Sequence, residues 1–146
     1  MTFRDLCEKD INQVCELENE AFTSPWHRES FEDVINNKDA MFIVATDDED
    51  VVCGYAGVLS VLGEGDICNI VVKKDCRGLG IGEQLVLELI RRGNAEYNIE
   101  AFTLEVRVGN KAARHLYEKI GFEYAGIRPG FYDEPKEDAA IYWYYL

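Results

Sequence analysis

Apolar positions along this chain follow two periods that alternate, one near 3.6 residues and one of 2. Thr2-Phe3-Arg4 predicts a short first strand. From Ile11 to about Phe22 the spacing is helical. Ile11, Val14, Cys15 and Phe22 share one face, Glu16 and Asn19 the other, and Asp10 stands where an N-cap belongs. Thr23-Ser24-Pro25-Trp26-His27 breaks the pattern, because Pro25 cannot continue a helix and pushes Ser24 to an extended conformation. A second helix follows around Glu29 to Ile35, with Phe31, Val34 and Ile35 inward.

Strand signals come next. Met41 to Ala45 and Val51 to Val61 flank the turn Asp47-Asp48-Glu49-Asp50 and predict a hairpin. Gly63 to Asp66 is another turn. Ile67 to Val72 is apolar on both parities apart from Asn69, which predicts a central strand covered on both faces. A helix carrying Leu85, Val86, Leu89 and Ile90 on one face stops at Gly93-Asn94. Phe102 to Val108 then alternates, with Thr103, Glu105 and Arg107 opposite its apolar face. Asn110 caps a helix whose stripe is Ala112, Ala113, Leu116, Tyr117 and Ile120, and Gly121 ends it. Phe122 to Gly126 and Ala139 to Leu146 are closing strands around a loop from Pro129 to Asp138. This order predicts an α/β fold: a mixed central sheet with helices on both faces, in one domain covering residues 1–146.

Composition narrows the function classes. Apolar residues make up 47% and charged residues 29%, which is enough apolar material for one sizeable core. The longest uncharged stretch, Val51 to Gly63, has 13 residues, too short for a bilayer-spanning helix. The start shows no basic-then-apolar secretory pattern, so the expected compartment is the cytoplasm. A net charge of −13 argues against nucleic acid as a partner and suits a basic one. Among five cysteines no C-x-x-C pair occurs. Cys15, Cys53 and Cys68 read as small core hydrophobes, Cys7 is isolated, and Cys76 lacks a partner base. His27 and His115 are isolated as well, so no metal site is expected.

The chemistry-bearing stretch is Asn69 to Glu83. A β-branched run passes through a charged turn into Arg77-Gly78-Leu79-Gly80-Ile81-Gly82 and a helix start. Glycines admit close approach of a ligand, and a helix start offers unpaired N–H groups to phosphate. The spacing is neither that of a P-loop nor that of a dinucleotide fingerprint. Read alone, R-x-x-G-x-G fits either a phosphate cradle or a tight structural turn.

The run Asn69-Ile70-Val71-Val72, the glycine loop, Leu104-Glu105-Val106-Arg107, Asn110, and Leu116 to Phe122 together resemble the GNAT family of acetyl-CoA-dependent N-acetyltransferases. Ser24-Pro25-Trp26-His27, Tyr132 and Glu137-Asp138-Ala139 resemble its ribosomal-protein-alanine subgroup. The resemblance implies a GNAT fold and acetyl-CoA as cosubstrate. It implies that Ile70, Val71 and Val72 pair with the pantetheine arm. Arg77, Gly78, Leu79, Gly80, Ile81, Gly82 and Glu83 would wrap the pyrophosphate, with Asn110 near the thiol. It also implies Glu105 as general base and Tyr117 as general acid. Read from the residues themselves, Trp26 and Tyr132 fit either a peptide groove that receives the acceptor or structural packing. The implied acceptor is a protein N-terminus, the N-terminal alanine of a basic small-subunit ribosomal protein. Structural alternatives are a Glu105–Arg107 salt bridge and plain core packing of Tyr117. Functional alternatives are an acetyltransferase for lysine side chains or small amines, and a silent CoA-binding module. Pro129-Gly130-Phe131-Tyr132 departs from the more polar loop expected of the subgroup.

Overall fold

Alternation along one central strand separates the molecule into two cores. A computed structural model describes residues 1–146. Strand β2 (Ala40–Thr46) is buried throughout. Its Met41, Ile43 and Ala45 enter one apolar cluster, and Phe42 and Val44 enter the other. The flanking strands β1 (Thr2–Asp5), β3 (Val52–Val61) and β4 (Glu64–Val72) pair antiparallel in sequence. Strand β5 (Ala101–Arg107) pairs parallel with β4, and β6 (Glu123–Asp133) and β7 (Lys136–Tyr145) close the sheet. The order is β1-β2-β3-β4-β5-β7-β6, a mixed seven-stranded sheet.

Helices cover both faces, as expected. Helices α1 (Ile11–Ala21) and α2 (Arg28–Asn36) supply Ile11, Val14, Leu17 and Phe31 to one core. Helix α3 (Ile81–Tyr97) supplies Leu85, Val86, Leu89 and Ile90 to the other, where Tyr117 of α4 (Lys111–Ile120) joins them. No helix is long and apolar enough to cross a membrane.

Several local expectations need correction, each for a packing reason. Gly93 does not stop α3, which runs to Tyr97 and ends at left-handed Asn98. A Cβ at Gly93 would lie 2.8 Å from the Phe102 ring, so this glycine serves close helix–strand packing. The segment from Pro129 to Asp138 is not a loop. It continues β6 and β7, and a register shift between Arg128 and Tyr132 absorbs Pro129-Gly130-Phe131 on the edge strand. Asp10 does not cap α1 through its side chain. Its carboxylate accepts from the Cys7 N–H and pairs with Arg4 at 2.8 Å. Burial would push that carboxyl up, but the Arg4 guanidinium and the Cys7 N–H outweigh it and hold it low. Asp50, from the densest acidic run, pairs with Arg4 and Lys9, so part of that run is structural. Ala112, Ile35 and Phe22 are exposed despite their predicted inward faces.

Candidate active site

The site begins where β4 leaves β5. Their parallel pairing stops at Asp66↔Thr103, and the two strands then diverge. A bulge lies beside this point. Gly57↔Asn69 is followed by Val58↔Ile67, so Cys68 is the extra residue on β4. A bulge bends its strand and adds twist, which turns the rest of β4 away from β5. Gly57 permits it, because a Cβ there would meet the Phe42 ring at 2.2 Å. Beyond Asp66, β4 pairs with β3 alone, and a cleft of about 760 Å³ opens between the strand ends.

Glu105 and Tyr117 line this cleft together, with Asn110, Ile70 and Tyr132. Glu105 points in from the polar parity of β5, and its side chain is 24% exposed. The alternative Glu105–Arg107 pair does not form. Arg107 turns to Glu137 at 3.2 Å and lies over the Tyr132 ring at 4.3 Å. The cation near Glu105 is Arg128, at 3.6 Å. Tyr117 is 7% exposed, and its ring packs on Phe122 and Tyr142. Its hydroxyl has no hydrogen-bond partner in the protein, although it borders the cleft. Burial pushes that phenol well above its ordinary range, so it stays protonated at neutral pH.

Asp66 is a second carboxyl in the cleft that sequence reasoning missed. Burial and then the neighbouring Glu105 push it up. Its signal was the alternation of β4 on the solvent-facing parity. Cys68 also opens into the cleft rather than a core, because the bulge turns it outward. Enclosure by the walls and then Asp66 push its thiol up to about 12, so it is not poised as a nucleophile. Trp26 does not line the cleft. Its ring packs on Phe31 and Phe42 at 5.4 and 5.5 Å, and the preceding Phe22, Thr23 and Ser24 form the wall instead.

At the far end of β4, the glycine loop leads into α3. Gly78 and Gly80 have φ of +80° and +79°, which side chains adopt only with strain. No side chain caps the helix start. The consecutive backbone N–H groups of Gly78 through Glu83 find no acceptor in the protein. A run of free backbone donors at a helix start suits an anion. Arg77 folds back, its Nε donating to the Val72 carbonyl at 3.2 Å, and Glu83 pairs with Lys119 at 3.1 Å. Val71 faces the second core, whereas Ile70 and Val72 are partly exposed along the open edge. Asn110 Oδ1 accepts from the Ala113 N–H at 3.2 Å and caps α4.

An unpaired strand edge between a glycine loop with free N–H groups and a carboxylate-lined cleft suits an elongated thioester cosubstrate. The model of the acetyltransferase (GNAT) family matches residues 11–122. The chain belongs to this family. A Bacillus subtilis protein, provisionally named a ribosomal protein bS18-alanine N-acetyltransferase, is 37% identical over 144 residues, 96% of this chain and 92% of that one. The Haemophilus influenzae ribosomal protein bS18-alanine N-acetyltransferase is 33% identical over 141 residues, 94% of this chain and 93% of its own. The crystal structure of the Escherichia coli enzyme of that type superposes with a TM-score of 0.88 at 28% identity, covering 99% of this chain and 93% of that one. The GNAT fold is therefore shared, and acetyl-CoA is the cosubstrate of this acetyltransferase. The free N–H run and the open β4 edge fit that group.

One outcome follows at the loop. Gly80→Val adds a branched side chain at φ +79°. It should raise the acetyl-CoA dissociation constant by more than about tenfold, since a helix start and its nest would be lost. Calorimetric titration checks this, and unchanged affinity would place the pyrophosphate elsewhere.

Proposed function

We propose that this chain, acting as a single domain, transfers acetyl to the N-terminal α-amine of a protein. The proposed acceptor is the N-terminal alanine of a small-subunit ribosomal protein met in the cytoplasm. One observation carries the chemistry: Glu105 and the unpartnered Tyr117 hydroxyl share the cleft that opens at the divergence of β4 and β5. The names of the relatives support the acceptor. A basic acceptor segment is favoured by the net charge of −13 and by Asp66, Asp133 and Glu134 along the cleft.

When bound, acetyl-CoA supplies the acyl group as an activated thioester. The backbone of Ile70, Val71 and Val72 holds the arm along the open edge. The N–H groups from Gly78 to Glu83 hold the pyrophosphate. Arg77 fixes the end of β4 through Val72, and Asn110 fixes the start of α4 beneath Tyr117. Glu105 accepts the proton of the incoming amine. An α-ammonium titrates at about 7.7–8.0 and a lysine near 10.4, so an α-amine needs far less help at neutral pH. The Tyr117 hydroxyl donates its proton to the departing sulfur. Tyr132, on the cleft wall beside Arg107, orients the acceptor segment.

The test is thiol release from acetyl-CoA with an alanine-starting basic peptide, in free, α-blocked and ε-blocked forms. Release with the free and ε-blocked forms, and none with the α-blocked form, is expected. Release only when the ε-amine is free would redirect the activity to lysine. No release for any amine, with stabilisation by CoA retained, would leave a binding module.

A further inference from the structure

One carboxylate is buried beneath the cleft wall without a cation. Glu18 falls on the inward face of α1, four residues after Val14 and seven after Ile11, and is 2% exposed. Its partners are all neutral. The Tyr55 hydroxyl donates to Oε1, as does the Asn69 side-chain amide at 3.0 Å, and the Trp26 backbone N–H donates to Oε2 at 2.9 Å. Burying a carboxylate without a cation is strongly unfavourable, and an apolar residue at this position would avoid that penalty. What a carboxylate adds is acceptors on two oxygens, where a carboxamide has one.

The three donors come from three parts of the site. Trp26 follows Phe22, Thr23 and Ser24, the wall of the cleft. Asn69 stands on β4 between Cys68 at the bulge and Ile70 on the open edge. Tyr55 lies on β3 behind them. Asn69 Oδ1 is buried and without any partner, so its amide is oriented by what its nitrogen reaches, which is Glu18. From the other side, the Thr23 hydroxyl donates to the Glu134 carbonyl at 2.7 Å. The wall segment is thus anchored below by Glu18 and across the cleft by the β6–β7 turn.

We infer that Glu18 is a positioning residue for the acceptor, fixing the Phe22–Ser24 wall against the β4 floor through Trp26 and Asn69. This rests on the reading that the cleft receives the amine. Loosening this anchor should weaken acceptor binding while the glycine loop, at the other end of β4, keeps its hold on the cosubstrate.

The experiment compares wild type, Glu18→Gln and Tyr55→Phe, each also in a Trp143→Phe background so that Trp26 is the only indole. Glu18→Gln should raise the KM for the alanine-starting peptide about tenfold, as loss of a hydrogen bond to a charged group does. It should leave acetyl-CoA affinity within about twofold and shift Trp26 emission to the red. Tyr55→Phe keeps the Trp26 bond and should change the peptide KM by less than about threefold. A lowered melting temperature with unchanged peptide KM would overturn the proposal. Equal KM changes in both variants would do the same. Amide exchange in the wild type gives a check independent of any variant. The Trp26 N–H should exchange as slowly as the core strands, and exchange at the rate of an open loop would refute the anchor. If the wild type acetylates no peptide, the acceptor reading fails, while the emission and exchange results still decide whether Glu18 holds the wall.

Discussion

Glu105→Gln is expected to lower kcat by roughly a hundredfold to a thousandfold, within the usual span for loss of a general base. The variant keeps size and polarity and removes only the capacity to take a proton. Little else should change. The nearest cation, Arg128, is 3.6 Å away and half exposed, and such pairs contribute about 0–1 kcal/mol to stability. Acetyl-CoA affinity should also hold, since the N–H run lies at the other end of β4. The pH profile gives the sharper reading. Without the carboxylate, turnover must follow the fraction of acceptor that is already unprotonated. The acid limb should therefore move upward toward the α-amine value of about 8. Asp66→Asn is the neighbouring control. A large loss there with little at Glu105 would move the base to the other carboxyl of the cleft.

Tyr117→Phe should lower kcat by roughly tenfold to a hundredfold with the KM for acetyl-CoA unchanged. The ring contacts with Phe122 and Tyr142 survive the change. The hydroxyl has no protein partner, so its removal strands no buried donor or acceptor, and the melting temperature should stay within about 2 °C. The raised phenol has a consequence in the wild type as well. A group that stays protonated through the alkaline range should give no falling limb in kcat below about pH 10. Unchanged turnover in Tyr117→Phe would return this residue to core packing alone.

Local signals account for what was legible in the sequence. The glycine loop was readable because strand, glycines and helix start are contiguous. Asn110 was readable as a cap, and the parity of β5 set Glu105 apart from its apolar neighbours. The divergence of β4 and β5 was not readable. It depends on a bulge at Cys68 and on the Phe42 ring over Gly57, a contact between strands far apart in the chain. The same bulge turns Cys68, which sits in an apolar pattern, out toward the cleft. Glu18 did carry a signal, its spacing from Ile11 and Val14, but a charged residue on an apolar face needs its three donors in view before it makes sense. Trp26 carried no signal that separates groove lining from packing. Its ring lies against Phe31 and Phe42, and the residues just before it line the cleft.

The most direct measurement locates the acetyl group itself. A peptide with an N-terminal alanine and an internal lysine is incubated with the protein and acetyl-CoA, and fragment masses are read by tandem mass spectrometry. The account predicts a single acetyl on the alanine nitrogen, lost in Glu105→Gln. Acetyl on the lysine side chain, or undiminished α-acetylation by Glu105→Gln, would contradict it.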